Sequence, residues 1–198
     1  MITETSKKRT KIMAKNNGIY IGIDPDVDKN GVALLDLTTR KLTINQLPFA
    51  QTIAYLQQAH NYAKLHGMGF KVVVEAGWYN TGNWHLRLYE GRASAAQIGV
   101  KQGRNEQTSR LIGEMCGYYS IPYEFQRPLP KFWVGHDKKI TKEELEIVTG
   151  QKIARCNQEG RDAALLAWNK AGFPIHISSF DQRKILLNQR NSPKSVKF

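Results

Sequence analysis

The chain has 198 residues, 41% of them apolar, and carries 29 Lys and Arg against 17 Asp and Glu, a net charge of +12. That length suits one globular domain with a sizeable core, and no run approaches the roughly 18 apolar residues of a membrane span. The basic start MITETSKKRTKIMAKNN has no apolar stretch behind it, so no secretory signal is expected; Cys116 and Cys156 make no Cys-x-x-Cys pair, so a reducing cytoplasm is expected and a disulfide framework or structural zinc is not.

Residues 1–16 and 179–198 read as basic arms, polar and without periodicity, around a domain over 17–178. Residues 1–15 and 181–198 each contribute +4, leaving +4 for the middle. A basic balance of this size points to a polyanion, nucleic acid first; tails that only aid solubility are the alternative. In the domain, Ile-Tyr-Ile-Gly-Ile-Asp (19–24) alternates and predicts a strand, and GVALLDLT (31–38) and KLTINQLPF (41–49) predict two more. Over 50–66, Ile53, Leu56, Ala59, Ala63 and Leu65 recur at roughly helical spacing. FKVVVEAG (70–77) is continuously apolar, as a central buried strand requires. Residues 90–118 predict one or two helices, punctuated by Gly99, Gly103 and Gly113. IPYEFQRP (121–128) predicts a fifth strand ended by Pro128. Thr141 and Glu144 form a capping box opening TKEELEIVTG, a short helix closed by Gly150. A last helix spans 158–171, stopped by Gly172 and Pro174.

The order β-β-β-α-β-α-β-α-α implies an antiparallel meander followed by right-handed parallel crossovers. The expected fold is α/β, a mixed five-stranded sheet with helices on both faces. The ribonuclease H-like superfamily has this order.

Asp24 ends the first strand and Glu75 the fourth. If those strands are parallel neighbours, both carboxylates stand at one edge of the sheet. Acids closing apolar strands pack poorly and repel, and a divalent cation removes the repulsion. Asp162 opens the apolar part of the last helix in EGRDAALLAW, and Glu159, three residues earlier, shares its face. Hard carboxylate oxygens suit Mg²⁺ or Mn²⁺. Two such ions about 4 Å apart can activate a water and stabilise the leaving oxygen in phosphodiester cleavage. The bland alternative makes Asp24 a turn former before Pro25, Glu75 a satisfied buried acid and Asp162 a helix-start residue. DPDVDKNG (24–31) also resembles the start of an EF-hand loop, but Lys29 and Leu35 occupy the positions where that loop needs Gly and Glu. Asp26 and Asp28 are therefore read as turn residues.

The motifs together resemble the RuvC family of Holliday junction resolvases. IGIDPD resembles that family's opening GIDPG, VVVEAGW its second acidic strand, and EGRDAALLAW its last helix. The resemblance implies that Asp24, Glu75, Glu159 and Asp162 are catalytic and hold the metal, two ions in all. It implies that Trp78, three residues after Glu75, inserts at the junction. It assigns catalytic roles to Lys131 and Lys142, spaced eleven apart as in the family, and VTG (148–150) resembles a tripeptide of that region. It implies branched, four-way DNA as substrate and a homodimer to cut its two equivalent strands. Asp26 replaces the family's Gly, and Glu159 stands where Asp or His is usual.

Trp78, Tyr79 and Trp84 cluster after Glu75, where they stack on bases or cap the core. Lys101, Arg104 and Arg110 recur along one helical stretch and track a phosphate backbone or form a solvated face. His136, in GHDKK, is the one histidine near the expected site, either a candidate to assist the metal or the scissile phosphate or a residue without such a role. The alternatives are another ribonuclease H-like nuclease, cutting RNA–DNA hybrid or DNA nonspecifically, and a non-catalytic DNA-binding module. An actin-like ATPase or sugar kinase would need Ser and Thr in the turn after the first strand, and DPDVDKNG has none.

Overall fold

The computed structural model describes residues 17–79 and 92–191. Five strands, β1 (Gly18–Asp24), β2 (Asn30–Asp36), β3 (Leu42–Leu47), β4 (Gly69–Glu75) and β5 (Tyr123–Gln126), form one sheet in the order β3-β2-β1-β4-β5. β1 runs antiparallel to β2, and β2 to β3, while β4 lies parallel to β1 and to β5. Five α-helices are described: α1 (Phe49–Leu65), α2 (Arg92–Tyr118), α3 (Lys142–Thr149), α4 (Gln158–Lys170) and α5 (Ser179–Asn191).

Alternation sorts the strand side chains between two cores. Ile19, Ile21 and Ile23 of β1 and Val72 and Val74 of β4 pack with Ile53, Leu56 and Ala63 of α1 and Ile112 and Cys116 of α2. On the opposite face Ala33 packs with Ala163, Ala164 and Leu165 of α4, Leu145 of α3 and Ile185 of α5. Val72, Val73 and Val74 are all buried, because β4 is covered on both faces.

α4 sits directly on the sheet. A Cβ on Gly22 would run into the Ala163 carbonyl and the Ala167 amide, and one on Gly31 into the Glu159 carbonyl. Only glycine lets two backbones approach so closely.

One open alternative closes and one expectation changes. The 90–118 region is a single 27-residue helix, α2, despite its glycines. The C-terminal arm read as starting at residue 179 is helical to Asn191, and buried Ile185 docks it beside α3. One buried apolar residue in a polar stretch gives almost no periodic signal, which is why the helix went unforeseen. The arm 1–16 and residues 192–198 lie outside the described residues. Among the described residues, no helix is long and apolar enough to cross a membrane.

A candidate carboxylate-centred active site

Parallel pairing of β1 and β4 sets Ile23 beside Val74, so Asp24 and Glu75 close neighbouring strands at the same edge. Behind them the fully buried Asn30 holds the turn. Its amide nitrogen donates to the Leu47 carbonyl at 3.3 Å and the Thr52 hydroxyl at 3.0 Å, while its oxygen accepts from the Asp26 amide at 3.1 Å. Asp26 itself accepts from the Asp28 amide at 2.9 Å, the turn role expected of it. The end of β4 is pinned to α2 by the buried Ser109, whose hydroxyl donates to the Glu75 carbonyl at 2.7 Å.

The glycine contacts bring the first turns of α4 to this edge. Asn157 caps the helix, accepting from the Gly160 amide at 2.9 Å, and Glu159 and Asp162 follow. Electrostatics shows the acids sensing one another. Burial, then the charges of Glu75, Asp162 and Glu159, pushes Asp24 well above the usual carboxylate range, against the opposing pull of Lys139. Burial and the Asp162 charge raise Glu75 to about 7, opposed by Lys131 and Lys139. Asp162 is raised by burial, against a hydrogen bond from Gln158 and the charges of Lys139, Lys131 and Arg161. All four acidic residues are half-buried. Within the described residues, the side chains of Asp24, Glu75 and Glu159 have no hydrogen-bond or ion-pair partner.

A set of unpaired, half-buried oxygen donors is the chemistry a hard divalent cation needs. As they stand, no three His, Cys, Asp or Glu side chains among the described residues close tightly enough to grip one ion.

The lysines divide differently from expectation. Lys131 does act on the acids. Lys142 instead pairs with Glu146 at 3.8 Å, and the second cation acting on the acids is Lys139. Its loop is held from within. The Gly135 amide donates to the Lys139 carbonyl at 3.1 Å, and Asp137 and Lys138 adopt left-handed backbone with φ of 53° and 56°. The fully buried Glu144 takes the Val134 amide on one oxygen at 2.9 Å and the Thr141 amide on the other at 3.0 Å, completing the foreseen capping box. His136 is 94% exposed and pairs with Asp137 at 3.1 Å.

Trp78 is half-buried, set edge-on to Phe125 at 5.0 Å with the Arg110 guanidinium over its ring at 4.1 Å. One face is therefore occupied, and Tyr79, 42% exposed, is the freer ring. Trp84 lies outside the described residues. Lys101, Arg104 and Arg110 are all exposed along α2.

Sequence reasoning missed Lys139, Ser109, Gln158 and Arg161. Lys139 could have been found, since it stands two residues before the helix cap Thr141 and so at the mouth of the loop.

The strand order, with its meander and parallel crossovers, defines a ribonuclease H-like α/β fold. The chain is similar to the solved structure titled T. thermophilus RuvC in complex with Holliday junction substrate, at 14% identity, over 79% of this chain and 97% of that one, with a TM-score of 0.41. No protein-family model matches the chain, and no curated protein matches it.

Proposed function

We propose that this protein is a divalent-metal-dependent endodeoxyribonuclease that hydrolyses phosphodiester bonds in branched DNA, as a RuvC-type junction resolvase does. The observation that supports this reading is that Asp24, Glu75 and Asp162, at two parallel strand ends and a helix start, lie near enough for their charges to act on one another and to be opposed by Lys131 and Lys139. Those three acids, with Glu159 beside them, would hold Mg²⁺ or Mn²⁺, and the ions would activate the attacking water and stabilise the leaving oxygen.

The remaining roles fall to the chain itself. Lys131 and Lys139 offset the charge that builds on the scissile phosphate. Arg110, held over the Trp78 ring, and the exposed Lys101 and Arg104 meet the backbone phosphates. Tyr79 offers a ring to an unpaired base, and such stacking contributes about 1–3 kcal/mol. A four-way junction has two equivalent strands to cut, and a two-fold dimer presents two matching sites.

Cleavage of a four-way junction, a flap, a linear duplex and an RNA–DNA hybrid with Mg²⁺ or Mn²⁺ tests the reading. Paired cuts in the junction are the expected result. Preference for the hybrid or the plain duplex would make the protein a different ribonuclease H-like nuclease. Binding without any cutting would make it a non-catalytic module. Sedimentation at micromolar concentration, with and without junction DNA, tests the homodimer; a monomer in both conditions would remove the paired-cut mechanism.

A further inference from the structure

The start of α4 carries a hydrogen-bond relay built around Gln158. Arg161 Nη2 donates to Gln158 Oε1 at 2.7 Å. A guanidinium only donates, so this contact fixes the amide with its oxygen toward Arg161 and its nitrogen away. That nitrogen has two hydrogens to give and uses both, at 2.9 Å to Asp162 Oδ1 and at 3.3 Å to the Ile140 carbonyl. Arg161 is itself held, with Nε on the Ile140 carbonyl at 3.0 Å and Nη1 on the Cys156 carbonyl at 2.8 Å. Ile140 directly follows Lys139, and its side chain is buried in the α4 core.

We propose that Gln158 is a positioning residue for the reaction: its amide holds Asp162 Oδ1, fixing the carboxylate that would serve the cation, and ties the loop bearing Lys131 and Lys139 to the same helix turn. The inference rests on the nuclease reading and deepens it. A carboxylate swings easily about its last torsion, where the energy wells are broad. One donor on one oxygen removes that freedom. Because the same amide also grips Ile140, the acid and the loop cations keep one registration.

Gln158→Met preserves length and removes both donations. Two readings follow the cation: Mn²⁺ titration calorimetry of the DNA-free protein, and the Mg²⁺ concentration giving half-maximal junction cleavage. Each is expected to rise about 10-fold or more, the usual effect of removing a partner that orients a ligating carboxylate. Junction affinity measured in EDTA is expected to stay at the wild-type value. Arg161→Lys, which cannot orient the amide in the same way, is expected to shift both readings in the same direction, and serves if Gln158→Met does not fold. A merely structural strut would lower the melting temperature and leave both cation readings in place. Folded variants with wild-type cation dependence would overturn the role of Gln158 while the nuclease reading stands. A wild-type protein that neither binds Mn²⁺ nor cuts DNA would overturn both.

Discussion

The guanidinium of Arg110 lies 4.1 Å over the ring of Trp78, joining α2 to the turn that follows Glu75. The ring serves first as the seat of the arginine. Trp78→Ala is therefore expected to weaken junction binding about as much as Arg110→Ala, with the double variant little worse than either. The coupling read from the cycle should be about 0.5–1 kcal/mol, the size of an exposed cation–π contact. Strictly additive losses would show that the two side chains act separately.

Asp24→Asn is expected to abolish cleavage while leaving fold and junction affinity in place. It removes the charge that burial and three neighbouring acids disfavour most. The cation-free variant should melt at or above the wild-type temperature. Wild-type cutting rates in this variant would refute the assignment.

Stability of the cation-free protein should fall as pH rises from about 4.5 to about 7. Glu75 is raised from 4.5 to about 7 by burial and the Asp162 charge. Below the lower value the group is protonated in both states and costs nothing; above the upper value the folded state bears the full cost of the ionised group. For this half-buried residue that cost is about 1–3 kcal/mol, or several degrees in melting temperature. Melting curves across this window check the slope, and Glu75→Gln should make it shallower, with the raised Asp24 and Asp162 keeping the remainder.

Lys139→Ala is expected to cut the cleavage rate about 100-fold, as loss of one charge-stabilising donor commonly does. Lys142→Ala should leave the rate unchanged and cost at most about 0.5 kcal/mol of stability, the worth of its pair with Glu146 along one helix face. Single-turnover rates for the two variants separate the assignments; the reverse ranking would restore Lys142.

The strands and the edge they share were legible because each signal is local. Alternation in Ile19–Ile23 and the apolar run through Val74 mark strands directly, and the acids that end them share an edge once β1 and β4 pair in parallel. The Thr141–Glu144 box was likewise readable from four residues. Counting eleven residues from Lys131 leads to Lys142, which pairs with Glu146, and does not see Lys139 just beyond the left-handed turn at Asp137 and Lys138. Gln158 and Arg161 were invisible for the opposite reason: their meaning lies in a carbonyl from another element, Ile140. Gly22 fitted the alternation of β1, yet nothing nearby in sequence announces the helix backbone that its bare Cα admits.

That bare seat also governs when the site comes into being. Asp24 and Glu75 are synthesised long before Asp162, and α4 reaches them only by laying its backbone on Gly22 and Gly31. A nascent chain therefore carries two acids with no third until the second face of the sheet closes. The carboxylate cluster is thus completed only with the last layer of the core.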